Sequence, residues 1–203
     1  MIRPAALALV LITSGPAILS CQRADRTPNR AASASLIETR WTDATAKETA
    51  MLSKEGKIAY DLPQLIVYNG SRQLVYVLNT RKPWSPTAIG SEIDKAIAAG
   101  QRVAGPPLTK TLGDLETREG RPASSAVAGA GVTLVFDYWA SWCVPCKMLE
   151  KSLVEWQSTK PAGSVQIVKA ETDIMKALRA TGEKTYMIRR GSDGKLHKVE
   201  LLY

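Results

Sequence analysis

The sequence predicts an α/β fold in which a central mixed sheet is flanked by helices and preceded by an extra amino-terminal α/β module. Three observations support this prediction. Residues 132–140, VTLVFDYWA, form a continuous apolar run typical of a buried strand. A helical pattern with one apolar side follows over residues 147–158. Further strand and helix patterns alternate on both sides of these two, and such alternation is typical of α/β layers.

An amino-terminal module and a connector are predicted over residues 41–120. The patterns there are a helix over residues 44–56, two strands within residues 62–79 and a helix over residues 91–100. The two strands flank Asn69-Gly70, a dipeptide that favours a hairpin turn. Gly100 follows the second helix, as expected where a helix ends. Residues 101–130 are rich in proline and glycine, and we expect a connector with at most one short helix there.

The main domain is predicted over residues 121–203. After the first strand and helix, the patterns indicate a strand over residues 165–170, a helix over residues 173–180 and a hairpin across residues 191–194. The predicted order is therefore strand, helix, strand, helix and hairpin, which again is an α/β arrangement.

The amino terminus resembles an export signal. Residues 1–20 contain an apolar run that is too short to span a membrane as a helix. The run ends in Ile-Leu-Ser-Cys, which resembles the lipobox of bacterial lipoproteins and implies cleavage before Cys21 and acylation of its thiol. An ordinary cleaved signal and an uncleaved anchor are the alternatives. Residues 21–40 are polar and rich in alanine and serine, which favours a flexible tether.

This amino terminus predicts the compartment. We expect a protein anchored by lipid on the periplasmic side of a bacterial envelope, where disulfides form and persist. Gln22, rather than aspartate, follows the lipid cysteine, and by resemblance this slightly favours the outer membrane. With Cys21 acylated, the remaining two of the three cysteines, Cys143 and Cys146, form a pair.

The composition sets bounds on the class of protein. The chain has 203 residues, of which 45% are hydrophobic, so it can build an ordinary globular core. The formal net charge of +8 suits contact with anionic lipid headgroups or acidic proteins. The lysines and arginines are scattered without a long run, and we expect no nucleic-acid partner for an exported protein.

The segment FDYWASWCVPCK carries the chemistry. The predicted strand delivers Cys143 to the first turn of the following helix, where free N–H groups and the helix dipole stabilise a thiolate. Cys143 is therefore the expected nucleophile, and Cys146, one turn further on, is the expected resolving thiol and the more buried of the two. Pro145 suits the start of a helix, and Val144 adds no charge to the pair.

This segment resembles the active-site segment of the thioredoxin family, most closely that of TlpA-type membrane-anchored periplasmic thiol–disulfide oxidoreductases. The resemblance implies a thioredoxin-like fold and thiol–disulfide exchange, in the direction of disulfide reduction, with no cofactor. Asp137 falls on the family's buried acidic position and is expected to handle the proton of Cys146. Lys169 falls where the family often pairs a lysine with that acid.

The same resemblance implies the partners. Envelope proteins with disulfides are the expected substrates, and a membrane thiol reductase is the expected electron donor. Trp142, Val144 and Pro145 are expected to border the substrate-binding surface.

The family places a cis-proline opposite the cysteine pair, after the second helix, but this chain has Thr185 or Tyr186 at that position. Pro63, which opens the earlier hairpin, is a candidate for the same role. Residues 40–100 are then either a degenerate half-copy beside the active domain or a permuted completion of it. The alternative is that Pro63 simply opens an edge strand.

A binding protein is the second hypothesis. Zinc sites also use Cys-x-x-Cys spacing, but a four-ligand site needs two more ligands and the chain has a single histidine, His197. Soft thiolates suit Cu(I) with fewer ligands, and a missing family proline would ease metal access. A thioredoxin-like protein that holds Cu(I), or docks a partner in envelope assembly without redox turnover, therefore remains an alternative.

Overall fold

The computed structural model describes residues 36–54, 61–80, 82–172, 186–190 and 196–200. The predicted signal and Cys21, most of the predicted tether, the helix predicted over 173–180 and Thr185 lie outside the described residues. None of the helices within the described ranges is long and apolar enough to cross a membrane.

The chain forms eight strands and four α-helices within the described residues. In chain order they are β1 (Leu36–Trp41), α1 (Asp43–Lys54), β2 (Gln64–Tyr68), β3 (Leu74–Val77), α2 (Ile89–Ala99), α3 (Leu108–Gly113), β4 (Leu115–Thr117), β5 (Thr133–Trp139), α4 (Val144–Ser158), β6 (Val165–Glu171), β7 (Tyr186–Arg190) and β8 (Leu196–Glu200). Short 3-10 helices occupy Pro86–Ala88 and Ala123–Ser125.

Six of these strands form one mixed sheet in the order β3-β2-β5-β6-β1-β4. The three central strands β5, β6 and β1 are parallel, whereas β2, β3 and β4 pair antiparallel with their neighbours. β7 and β8 form a separate antiparallel hairpin. The fold is α/β, with a mixed sheet between helices, as the sequence predicts.

The sheet carries a core on each face, because β5 is buried from Thr133 through Tyr138. Parallel strands buried on both faces are expected to read as continuous apolar runs, as this one does. On one face α2 and α4 pack against the side chains of Leu65, Val67, Val135 and Ile167. On the other face, Phe136, Tyr68 and Val168 pack with side chains of α3 and the 3-10 turn at Ala123.

The helices α2 and α4 contact each other closely. Gly90 of α2 faces the indole of Trp156 in α4, where a Cβ atom on the glycine would lie 2.6 Å from Cδ1. The indole N–H of Trp156 donates to Asp94 at 3.1 Å, and Asp94 also accepts from Lys160 at 2.6 Å. Helix α2, which precedes the cysteines by more than forty residues, is thereby fixed against the helix that follows them.

The predicted hairpin between β2 and β3 is confirmed, but its turn is longer than the two residues that Asn69-Gly70 suggests. The side-chain oxygen of Asn69 accepts from the backbone N–H groups of Ser71 and Gln73, at 3.0 Å each. The positive φ falls on Arg72, at 64°. Asn69 therefore organises a five-residue loop through its side chain.

Two segments differ from their predicted structure. Residues 36–40, predicted as part of the tether, form most of β1, which pairs in parallel with β6. Their short polar-apolar pattern gives little local signal, whereas Thr39 is buried in the sheet between β6 and β4. In the predicted connector, β4 follows α3 and pairs with β1, so this segment holds a strand as well as a helix.

The sheet contains strands from both sides of the boundary predicted near residue 120. β2 is hydrogen-bonded directly to β5, with Leu65 opposite Asp137, so the early hairpin lies in the same sheet as the cysteine-bearing strand. In the arrangement that the thioredoxin resemblance implies, a proline-led strand, its hairpin partner and a closing helix follow the cysteine pair. Here β2, β3 and α2 precede it, which agrees with the permuted completion of the domain.

Candidate active site

The cysteine pair lies where β5 gives way to α4. The backbone N–H of Cys143 donates to the carbonyl of Ala140 at 3.0 Å, which closes a tight turn after the strand. Cys143 is the N-cap residue of α4, and its Sγ accepts from the backbone N–H of Cys146 at 3.2 Å. Pro145 occupies the first turn, where no helical N–H is lost. Cys143 thus lies at the start of α4, immediately before the first turn in which the sequence predicts it.

The two cysteines are joined by a disulfide bond, with their Cα atoms 5.3 Å apart. Both side chains are buried, Cys143 at 3% exposure and Cys146 at 1%. Leu62 and Trp139 pack against them. Both sulfur atoms are thus almost fully buried in the disulfide-bonded state.

An apolar rim surrounds this buried pair. Trp142 is 39% exposed and Val144 is 65% exposed, on either side of Cys143. Both residues were expected at a substrate-binding surface, and the structure places both beside the nucleophile at the protein surface.

Pro63 follows a cis peptide bond with Leu62. It lines a depression of about 370 Å³ together with Pro145, Trp84 and Thr80. β2 is an interior strand between β3 and β5, so the alternative that Pro63 opens an edge strand is wrong. The structure thus brings the early proline to the same depression as Pro145 of the Cys-Val-Pro-Cys segment.

Asp137 lies on β5, two residues before the strand ends at Trp139, and its side chain is buried. Neither carboxylate oxygen has a hydrogen-bond partner within the described part of the chain. Burial, and then the negative charge of Glu150, raise the pKa of Asp137 to about 7, against an opposing effect of Lys169. A carboxyl group with such a pKa exchanges protons readily near neutral pH.

Lys169 does not form the predicted ion pair with Asp137. Its Cα is the direct neighbour of Asp137 in the parallel ladder, but its Nζ donates to Glu150 Oε1 at 2.5 Å. The ammonium also lies 4.3 Å from the ring centroid of Trp139. The position of Lys169 beside Asp137 is as expected, but its ion-pair partner is not. The long lysine side chain is able to reach either of two carboxylates, and local sequence does not determine which one it contacts.

Several residues of the site were not identified from the sequence, namely Leu62, Trp84 and Glu150. The only sequence signal for Glu150 is its spacing of four residues from Cys146, which puts both on one face of α4. Leu62 and Trp84 come to the site only through the pairing of β2 with β5 and the packing of α2. Within the described residues, no cluster of three or more histidine, cysteine or acidic side chains forms a metal site.

The arrangement supports one kind of chemistry. A vicinal cysteine pair, one member of which caps a helix, is able to cycle between dithiol and disulfide. Asp137 lies on the strand that leads into the pair, and its pKa near neutrality suits transfer of a thiol proton.

Comparison with known proteins agrees with this site. Residues 123–187 match the family model for thioredoxin. A thioredoxin of Haemophilus influenzae is 39% identical over 56 residues, covering 28% of this chain and 51% of that protein. Mitochondrial thioredoxin-3 of Saccharomyces cerevisiae is 36% identical over 67 residues, covering 31% of this chain and 50% of that protein. No solved structure gives a significant match.

The chain thus spans about half the length of the curated relatives that it matches. The matched region contains β5, α4 and β6 with the cysteine pair, while β2, β3 and α2 lie before it in the sequence. From the family match, the mixed sheet and the cysteine pair at the start of α4, we conclude that this chain contains a thioredoxin-like domain.

Proposed function

We propose that this protein catalyses thiol–disulfide exchange through Cys143 and Cys146, in the direction of disulfide reduction, on proteins of a bacterial envelope. The observation that carries the proposal is the Cys-Val-Pro-Cys pair at the amino terminus of α4, bonded as a disulfide just after the strand that holds the buried carboxyl group of Asp137. The match of the surrounding region to thioredoxin supports the same chemistry.

The reaction begins with the reduced pair. The thiolate of Cys143 attacks one sulfur of a partner disulfide, forms a mixed disulfide and releases the first partner thiolate. The thiol of Cys146 passes its proton to Asp137, and the resulting thiolate attacks Sγ of Cys143. The intramolecular disulfide forms, the second partner thiolate leaves and takes up a proton, and two electrons have passed to the partner.

Docking of the partner is assigned to the surface around the pair. The exposed side chains of Trp142 and Val144 offer apolar contact beside Cys143. The depression between Pro63 and Pro145 adjoins the same edge and is lined by Trp84. An extended partner segment placed there brings its disulfide to the nucleophile.

The location and the electron donor are inferred from the sequence. The lipobox-like segment ending in Cys21 supports a lipid anchor on the periplasmic side, and the resemblance to TlpA-type proteins supports reduction by electrons from a membrane thiol reductase. Incorporation of labelled palmitate tests the anchor: we expect it in the full chain and not in Cys21→Ser, and equal labelling of both would contradict it.

The Cu(I)-binding alternative is based on the affinity of soft thiolates for Cu(I), with a missing family proline as a feature that would ease metal access. Pro63 lines the same depression as Pro145, which weakens the argument from easier access. No observation within the described residues favours metal binding over exchange.

The proposal is tested by turnover of two variants with insulin as the disulfide substrate and dithiothreitol as the reductant. Cys143→Ser removes the nucleophile and is expected to abolish turnover. Cys146→Ser leaves the nucleophile but removes the resolving thiol. When this variant is reduced, freed of dithiothreitol and mixed with insulin, it is expected to accumulate a mixed disulfide that is visible by mass spectrometry. Normal turnover of Cys143→Ser would contradict the mechanism.

A further inference from the structure

A group of three charged side chains lies where β5, β6 and α4 meet. Asp137 is on β5, Lys169 is beside it on β6, and Glu150 covers them from α4. Glu150 lies four residues after Cys146, so it occupies the same helix face as the resolving cysteine. The proposed exchange reaction uses Asp137 but leaves Glu150 without a role.

Glu150 and Asp137 compete for one cation. The ammonium of Lys169 donates to Glu150 at 2.5 Å and lies against the ring of Trp139, while both oxygens of Asp137 lack a hydrogen-bond partner within the described residues. The side chain of Lys169 is 13% exposed and that of Glu150 is 35% exposed, so the pair lies at the border of the buried region. The cation therefore neutralises the more exposed of the two acids.

The surroundings of Asp137 offer no other charged partner within the described residues. Its neighbour on β2 is Leu65, which is apolar and buried. The groups that act on Asp137 electrostatically are Glu150 from α4 and Lys169 from β6, and the effect of Glu150 is the larger. Cys143 and Cys146, at the start of α4, add two further titratable groups once the pair is reduced.

We propose that Glu150 is a positioning residue, which holds the ammonium of Lys169 away from Asp137 and so keeps the buried carboxyl group available to take the proton of Cys146. This inference rests on the proposed exchange function. If Lys169 were free to pair with Asp137, the carboxylate would be stabilised in its charged form and would become a weaker base. Glu150 thereby governs the pH at which the resolving step becomes fast.

The test uses the reduced protein and 5,5′-dithiobis(2-nitrobenzoate), a small disulfide that releases one coloured thiolate in each of two steps. Attack by Cys143 releases the first, and resolution by Cys146 releases the second. Stopped-flow absorbance between pH 5 and 9 follows the two phases separately. The second phase reports the proton acceptor of Cys146, which a purely structural role of Glu150 does not influence.

Glu150→Gln is the principal variant, and Glu155→Gln is its matched control. Glu155 lies on the same helix but is exposed and contacts Lys151 rather than Lys169. We expect Glu150→Gln to move the midpoint of the second phase to lower pH by roughly one unit or more, with a lower plateau rate, because Lys169 is released to Asp137. The first phase, and both phases of the control, are expected to keep the pH profile of the unaltered protein.

Two further variants test whether Lys169 is the intermediary. Lys169→Met removes the cation and is expected to shift the midpoint of the second phase to higher pH. This variant therefore tests the inference independently of Glu150→Gln. In Glu150→Gln/Lys169→Met the midpoint is expected to lie above that of Glu150→Gln alone. A midpoint of the second phase in Glu150→Gln equal to that of the unaltered protein would overturn the inference. So would equal midpoints in Glu150→Gln and in the double variant. Either result would leave the exchange function intact. Absence of both phases in the unaltered protein would overturn the exchange function itself, and this inference with it.

Discussion

Asp137 is buried and has no hydrogen-bond partner among the described residues, and such a carboxyl group is unfavourable for the fold whenever it is charged. The same cost of charging the buried group raises the pKa of Asp137 to about 7. Between the ordinary range near pH 4 and about pH 7, the folded chain retains a proton that the unfolded chain has lost. The free energy of unfolding therefore falls as pH rises through this window, and the loss is complete above it.

Asp137→Asn removes the charge and keeps the shape, so we expect it to raise the free energy of unfolding at pH 8 by roughly 2 kcal/mol or more. At pH 4 the carboxyl group is protonated in the folded state, and the gain is expected to be small. Urea unfolding of the oxidised protein at both pH values measures the difference.

Asp114→Asn is the control for this prediction, because Asp114 is partly exposed and pairs with Lys110 on the surface. Its effect is expected to stay below about 1 kcal/mol at both pH values. An equal stabilisation by Asp137→Asn at pH 4 and pH 8 would show that the charge of Asp137 is not the cause.

Some contacts between side chains of the site cannot be predicted from the sequence. The positions of Cys143, Pro145 and Asp137 follow from local patterns, because a strand that leads into a helix fixes them. The partner of Lys169 does not follow, since two carboxylates on different elements compete for its ammonium. The contact of Glu150 with Lys169 becomes apparent only from the packing of α4 on the sheet.

At the level of elements, the contact between α2 and α4 ties the early part of the chain to the cysteine-bearing helix. Gly90 leaves room for the indole of Trp156, which its hydrogen bond to Asp94 holds in place. A methyl group at position 90 would overlap three atoms of that side chain. This close approach requires glycine at the amino-terminal turn of α2.

Gly90→Ala is therefore expected to lower the free energy of unfolding, because overpacking costs about 1–3 kcal/mol and the gain in helix propensity returns at most about 1 kcal/mol. Gly113→Ala in α3 is the matched control, since nothing lies within 4 Å of its added methyl group. Chemical denaturation of both variants measures the effect. Equal stabilities of the two would contradict the packing of α2 on α4.

The elements differ in how far their sequences predict them. β5, α4 and β6 were predicted because their apolar patterns are continuous and local. β1 overlaps the predicted tether over residues 36–40, because the strand is short and its place in the sheet depends on pairing with β6 and β4. The position of Pro63 depends on the pairing of β2 with β5, which lies about seventy residues later in the chain. Local patterns do not predict this position, whereas the thioredoxin resemblance offers Pro63 as a candidate for it.

At the scale of the whole molecule, the sheet depends on segments from both sides of the cysteine pair. Residues 121–203 alone would lack β2, the antiparallel neighbour of β5, and β1, the parallel neighbour of β6. They would also lose α2, which covers one face of α4. The early segment is thus part of the domain that holds the active site.

We expect a fragment of residues 121–203 to lack cooperative unfolding and dispersed amide resonances, whereas a chain that begins at residue 22 shows both. Thermal unfolding followed by circular dichroism, together with a proton–nitrogen correlation spectrum, tests this directly. A fragment that unfolds cooperatively and reduces insulin at the rate of the longer chain would contradict a single domain completed by the early strands.

Cys143 and Cys146 are proposed to form a redox-active pair rather than a structural disulfide. The most direct test is the equilibrium reduction potential of this pair, titrated in glutathione and dithiothreitol buffers with a chain that begins at residue 22. We predict one reversible two-electron step between about −120 and −270 mV, towards the −270 mV end for a reductase. A pair that stays oxidised to potentials below about −300 mV, as structural disulfides do, or that shows no reversible step, would contradict the claim.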